Sequence, residues 1–399
     1  MKKLFAITLC AVMLLSLLVS CDKQQTETSD QDKYSEYPVS YICHPGGADP
    51  YYNDRYLSFN GPFLTYRYLD GDHTDYDLCF SATCTHKFGK CPARVLGSSM
   101  YVVDHSVDSP NPPIYMRSVD LEKSELIEGT QHTIICIKPD IGEVKQLCEA
   151  PAQPVRMFIC GDYVYFDVYE GDLNKYTEVT YYVSKNGGEA KRFIEGDTLV
   201  RLLFIINGNY IYKTTNGDDS ERYYIASKRD LSDGRPLVDD ISGGQLYTTG
   251  HDYILRSVGK IYKLDPENTS NYTYLGEIGE GKRIEKARID PSSNRMYFVS
   301  KDDMRTVGYY IRVDYSGKEW QEAVHDYDHN QFGYIDLDTG EVTLIDIPFE
   351  GAYYNDLFFA HDDYVLLSIQ FPYKTLEQGR EDPEISFIYN AATGEFIEN

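Results

Sequence analysis

Four side chains in one short stretch, Cys79, Cys84, His86 and Cys91, offer three thiols and an imidazole. That is a complete donor set for a tetrahedral zinc ion. Their spacing, Cys–x4–Cys–x–His–x4–Cys, is not that of a common zinc finger. A disulfide between Cys79 and either Cys84 or Cys91 would use the same residues, and an exported protein favours one. Both chemistries are cross-links, so the expectation is a structural metal site or disulfide without catalytic use. The remaining cysteines of a chain processed at Cys21, which are Cys43, Cys136, Cys148 and Cys160, include three in or beside apolar runs. Cys136, Cys148 and Cys160 are expected to be plain buried thiols.

Other stretches imitate catalytic motifs and fail on their context. Gly276–Glu–Ile–Gly279–Glu–Gly281–Lys282 has the glycine and lysine spacing of a phosphate loop. Arg283 then stands where magnesium binding needs Ser or Thr, and no βαβ unit surrounds it. Asp338–Thr339–Gly340 resembles an aspartic-protease loop, which requires two facing carboxylates sharing a proton. Here it coincides with a turn that recurs along the chain, so it is expected to be a turn. His325–Asp326–Tyr327–Asp328–His329 and the Asp70–Asp77 stretch lack the calcium-loop pattern and are expected to be solvated acidic loops. No Gly–x–Ser–x–Gly elbow, His–Glu–x–x–His motif or dinucleotide fingerprint is present.

The elements that must position these residues repeat. From Cys160 to Phe193 a Gly–Asp turn, an aromatic and β-branched run, a polar loop, a second run and an Asn–Gly–Gly–Glu turn follow one another. Such residues suit half-buried strands, and Gly, Asn and Asp supply the backbone freedom of tight hairpins. The turn-plus-aromatic signature returns before Tyr56, Met100, Tyr163, Tyr210, Tyr253, Met296 and Tyr364, mostly at the ~40–50-residue interval of a propeller blade. A closing hairpin recurs at Asp140–Val144, Gly188–Ala190, Asp338–Val342 and Thr393–Phe396. No such hairpin closes the first unit, and the Cys79–Cys91 stretch occupies its place. Four-stranded sheets bury both faces when stacked radially. The expected fold is therefore an all-β propeller of about seven four-stranded blades, six or eight following from one misplaced anchor. Insertions at Asp108–Gln131 and Tyr315–Asn330 stretch two of the intervals and are expected to be exposed loops.

The N-terminus differs in kind. Lys2–Lys3 precede an apolar run, Leu4–Leu18, too short for an ordinary membrane span, which ends in Leu18–Val19–Ser20–Cys21. The segment resembles the bacterial lipobox, and the resemblance implies cleavage before Cys21 and lipidation of that cysteine. Residues 1–20 are then a signal peptide, 21–36 a polar tether and 37–399 one propeller domain. Loss of residues 1–20 removes Lys2 and Lys3 and no acid, taking the formal charge from −25 to about −27. Charge of that sign and size disfavours nucleic acid and anionic polymers as partners.

The blade pattern, the lipobox and Leu78–Cys79…Cys84–Thr85–His86–Lys87…Cys91–Pro92–Ala93 together resemble a group of lipoproteins from Gram-positive gut bacteria with TolB-like propellers. The resemblance implies location on the outer face of the cytoplasmic membrane and a propeller fold, and no particular activity. Two functional readings follow. In the first, the anchored propeller is a binding or scaffolding module for a peptide, glycan or protein, with the two insertions influencing partner choice. In the second, carboxylates gathered on the propeller face cleave extracellular polysaccharide or peptide.

Overall fold

Successive side chains of a strand point to opposite faces, so a strand that is apolar at every position must be covered on both sides. Pro154–Cys160, apolar at every position but Arg156, shows how the chain meets this demand. Met157 and Ile159 join one apolar cluster with Val102, Ile134 and Cys148, while Phe158 and Cys160 join another with Leu202, Ile205 and Tyr212. One sheet is thereby packed between two others.

The computed structural model describes residues 41–42 and 50–398, except 70–73, 97–99, 120–131, 173–174, 195–199, 216–220, 238–244, 251, 258, 266–270, 280–281, 303–305, 314–318, 326–330, 350–351 and 371–383. The lipobox, Cys21, the tether and Cys43 therefore lie outside the described residues, as do parts of both insertions and of the two acidic loops. Seven antiparallel sheets follow in chain order: blade one over 51–77, two over 101–149, three over 154–192, four over 200–236, five over 245–277, six over 282–345 and seven over 353–398. They form a seven-bladed propeller. Its only described helical turn is Pro92–Arg94. First strands of neighbouring blades approach one another, as Lys282–Asp290 does Tyr353–His361, so they are the innermost. Blade three has a fifth strand, Tyr41–Ile42, on the free edge of Pro154–Cys160.

Each blade takes its four main strands from one continuous stretch, so among the described residues no strand exchange joins blades seven and one. Closure between blades seven and one rests on Tyr51, Tyr56 and Leu69 packed against Phe359, Leu366 and Ile388. Full burial of each such side chain is worth about 1.5–3 kcal/mol. Polar contacts add to it: the Tyr51 hydroxyl donates to Asp362 Oδ2 at 2.6 Å, and its ring stacks on His361 at 4.1 Å.

A second device recurs between blades. Inner strands carry register shifts at Pro154/Arg156, Leu202/Phe204, Ile284/Lys286 and Leu357/Phe359. A bulge leaves a residue out of the ladder. Carbonyls there accept guanidinium donors from the preceding blade: Arg117 reaches Pro154 O at 3.1 Å, Arg156 reaches Leu202 O at 2.8 Å, Arg256 reaches Ile284 O at 2.9 Å and Arg288 reaches Phe358 O at 2.9 Å.

Two sequence expectations change. In blade two the signature before Met100 precedes the first strand, Tyr101–Val103, and the second strand begins only at Ile114. Elsewhere the anchors mark second strands, so placing this anchor at Ile114 moves the long interval from the second repeat to the first. Ile114–Val119 thus lies inside the stretch expected to be a loop. In blade six, Glu319–His325 pairs with Thr306–Val313 as a hairpin inserted between the second and third strands. Its aromatic and β-branched residues, Tyr309, Tyr310, Ile311, Val313 and Trp320, favour strand over loop.

Candidate metal centre

Blade one is short of strand at its outer edge. Its fourth strand is Tyr76–Asp77, paired only with Thr65 and Tyr66. Leu78 then turns into the core and is fully buried. The Phe80 N–H donates to Pro139 O at 3.0 Å, reaching the turn that joins the last two strands of blade two. The chain returns through the Pro92–Arg94 turn, which Arg94 N–H to Cys91 O closes at 2.9 Å, to a bridge between Leu96 and Phe63. Ser118 of blade two donates to Leu96 O at 3.0 Å. The cysteine segment thus covers the outer edge of blade one and touches blade two, in place of a closing hairpin.

Within it the four residues converge. The Sγ atoms of Cys79, Cys84 and Cys91 and a ring nitrogen of His86 all lie within 4.8 Å of one another. His86 Nδ1 stands 3.3 Å from Cys91 Sγ, and the His86 N–H donates to Cys84 Sγ at 3.4 Å. Tetrahedral bonds of ~2.3 Å to sulfur and ~2.1 Å to nitrogen put donor atoms roughly 3.4–3.8 Å apart. A disulfide needs a sulfur separation of about 2.05 Å. All three thiols are free, and their mutual separations are compatible with a metal ligand shell. Burial pushes the Cys91 thiol up to about 12 and raises Cys79, whereas the His86 N–H lowers half-buried Cys84. A divalent cation inverts this situation by binding thiolates outright. The cluster can therefore hold a metal. With four protein donors no coordination position is left for a substrate, which is the pattern of structural sites.

Backbone geometry supports the shell. His86 adopts φ +49°, unusual for a residue with a side chain, and Gly89 adopts +70°. Gly142, in the blade two turn, has φ +69°, and a Cβ there would stand 3.0 Å from Cys84 Cβ. Both facts demand glycine. Outside the shell, Arg94 pairs with Asp77 through two hydrogen bonds of 3.0 and 2.9 Å.

The other motifs resolve as turns. Gly276 lies in the last strand of blade five and Lys282 opens blade six, with Lys282 N–H donating to Gly279 O at 3.3 Å. Asp336 Oδ1 accepts from the N–H groups of Asp338 and Thr339 at 3.1 and 2.8 Å, and Gly340 has φ +76°. Asn390 repeats this arrangement with Ala392 and Thr393 in blade seven. In the Asp70–Asp77 stretch, Asp75 pairs with Arg67 at 2.7 Å. Cys136, Cys148 and Cys160 are buried among apolar neighbours.

Two further clusters had no signal in the sequence. At the ring seam Tyr51, His105 and His361 gather, the two imidazoles 5.8 Å apart, with His361 Nδ1 3.3 Å from Asp362 Oδ2. His105 is pushed down to about 4, chiefly by burial and then by His361. Between blades three and four, fully buried Asp167 accepts from Arg156 at 2.8 Å, Arg201 at 3.1 Å and Thr180 at 2.6 Å. These partners are too far apart in the chain for local pattern to connect them.

No family model and no curated protein matches the chain. Solved structures do. A puromycin hydrolase is 10% identical with a TM-score of 0.50, over 90% of this chain and 53% of that one. A prolyl endopeptidase is 11% identical with a TM-score of 0.52, over 90% and 50%. TolB-like propellers are among the neighbours too: a putative TolB from Agrobacterium tumefaciens is 12% identical with a TM-score of 0.34, over 54% and 76%. The likeness is one of fold. The chain spans about half the length of the puromycin hydrolase and of the prolyl endopeptidase.

Proposed function

We propose that this chain is a binding or scaffolding module for a peptide, glycan or protein partner, held through lipid on Cys21 at the outer face of a bacterial membrane. Its metal-ligating residues serve architecture. The observation that carries this reading is the position of the Cys79–Cys84–His86–Cys91 shell, on the outer edge of blade one and closed by four donors. A Zn2+ ion there ties the edge of blade one together and leaves the propeller faces free for a partner. Thiolate and imidazole donors favour zinc among the common divalent ions.

The cleaving alternative requires a carboxyl group held protonated near neutrality. The described carboxyl groups with displaced acidity go the other way: Asp75 is lowered by Arg67, Asp336 by the Thr339 N–H, and Asp362 by Tyr51 and His361 against its own burial. None of these described carboxyl groups favours the hydrolase.

The full chain purified in detergent tests the proposal. Metal analysis should return one zinc per chain, and Cys21→Ala should release protein from the membrane fraction or block its processing. A glycan-array and pull-down screen run beside a hydrolysis assay should find retention without turnover. Turnover of any hit would overturn the binding assignment.

A further inference from the structure

The chain carries 63 acidic residues against 38 basic ones, yet none of the acids lies between Asp77 and Asp104. That interval contains the metal shell and three cations, Lys87, Lys90 and Arg94. Arg94 is neutralised by Asp77. Lys87 and Lys90 are exposed, and neither forms an ion pair among the described residues. On an acidic propeller this is a local reversal of sign.

The loop that carries them is built as a display. His86 and Cys91 are metal donors at its two ends. Between them the Lys90 N–H donates to Lys87 O at 3.1 Å, closing a turn with Phe88 and Gly89 at its corners. Gly89 supplies the positive φ of +70° that such a turn requires at its second corner. Phe88 projects there and is 60% exposed, held only edge-on against Phe63 at 6.4 Å. The blade two turn whose Gly142 abuts Cys84 contributes a second bare apolar side chain, Ile141, 61% exposed. These are the two most exposed large apolar residues among those described, and both border the metal centre.

The geometry points to this loop as a docking surface for a short acidic peptide segment of a partner protein, one that sets an apolar side chain against Phe88 and carboxylates against Lys87 and Lys90. It rests on the binding-module reading above and names the partner class for one face of it. Charge complementarity selects the class: two lysines without an ion pair among the described residues flank one turn, enough for a short acidic stretch. A long polyanion would extend past them over a surface whose net charge repels it. The metal's part is preorganisation, since a loop fixed at both ends loses little freedom on binding.

Fluorescence anisotropy on the full chain in detergent tests this with two labelled octapeptides of one apolar pattern, carrying glutamate or lysine at the polar positions. The glutamate peptide should bind and the lysine peptide should not. Lys87→Glu with Lys90→Glu should weaken binding at least about tenfold, and Phe88→Ser about fivefold or more, both with zinc content and melting temperature unchanged. Equal binding of both peptides, no binding of the glutamate peptide, or indifference to these substitutions would overturn the docking surface. If the protein proves metal-free but still takes the glutamate peptide through Lys87 and Phe88, the zinc assignment fails and the docking surface stands.

Discussion

Blade one and blade three solve the same problem with different materials. Blade three has central strands of ten residues each, Tyr163–Asp172 and Lys175–Ser184, paired along their whole length. Its junction with blade four adds Asp167 between two arginines. Blade one has central strands of six residues and outer ones of two, and its edge is finished by a cysteine–histidine shell. Where strand pairing is long, backbone hydrogen bonds and apolar stacking hold a blade. Where it is short, a cluster able to hold a metal takes the place of the missing ladder. The difference also sorts the two by environment: a buried ion pair answers to mutation, and a metal shell answers to chelators and oxidants.

Asp167→Ala should give the largest effect. It leaves two guanidinium groups facing a buried gap, and breaking such a pair from one side costs about 3–5 kcal/mol. Denaturant unfolding should show the loss, and Thr180→Val a smaller one. If Asp167→Ala is nearly neutral, blade three is held by its ladder alone. Metal removal should rank next. Chelation or Cys91→Ser should cost roughly 3–4 kcal/mol, the linkage expected when free metal exceeds its dissociation constant by a few hundredfold to a thousandfold. The loss should show as a lower melting temperature with the far-ultraviolet signal of the folded sheet retained below it. An unchanged melting temperature would make the shell dispensable to blade one.

His105 gives a pH-dependent effect at the seam beside blade one. Its folded pKa of about 4 lies below the ordinary value of 6.5, so the unfolded chain takes up the proton first. Stability should therefore fall as pH drops from about 6.5 to about 4, by at most roughly 3 kcal/mol. His105→Asn should flatten that part of the stability–pH curve, and an unaltered slope would assign it to other groups. The smallest effect belongs to Gly142→Ala. A left-handed backbone costs a residue with Cβ about 1–2 kcal/mol. The added methyl also presses on Cys84, so zinc should dissociate faster in a chelator competition than from the parent protein.

The sequence alone determined the blade unit, the recurring turns and the cysteine–histidine cluster. These are local matters: Asp336–Gly340 and Asn390–Gly394 form the same turn because Asx hydrogen bonding and a positive-φ glycine act over five residues. The cysteine cluster was legible for the same reason, since its four donors fall within thirteen residues and a blade edge without a closing turn has to end somehow. Local pattern misplaced the start of blade two because turn residues before a first strand look like those before a second. Only the tertiary structure brought the four donors within 4.8 Å of one another, because their separations depend on how the chain folds back through Pro139 and Phe63. It alone brought Tyr51 to His361 and Arg156 to Leu202, since ring closure and the neighbour across a blade junction depend on the sum of all seven sheets, and no short window of residues contains that sum.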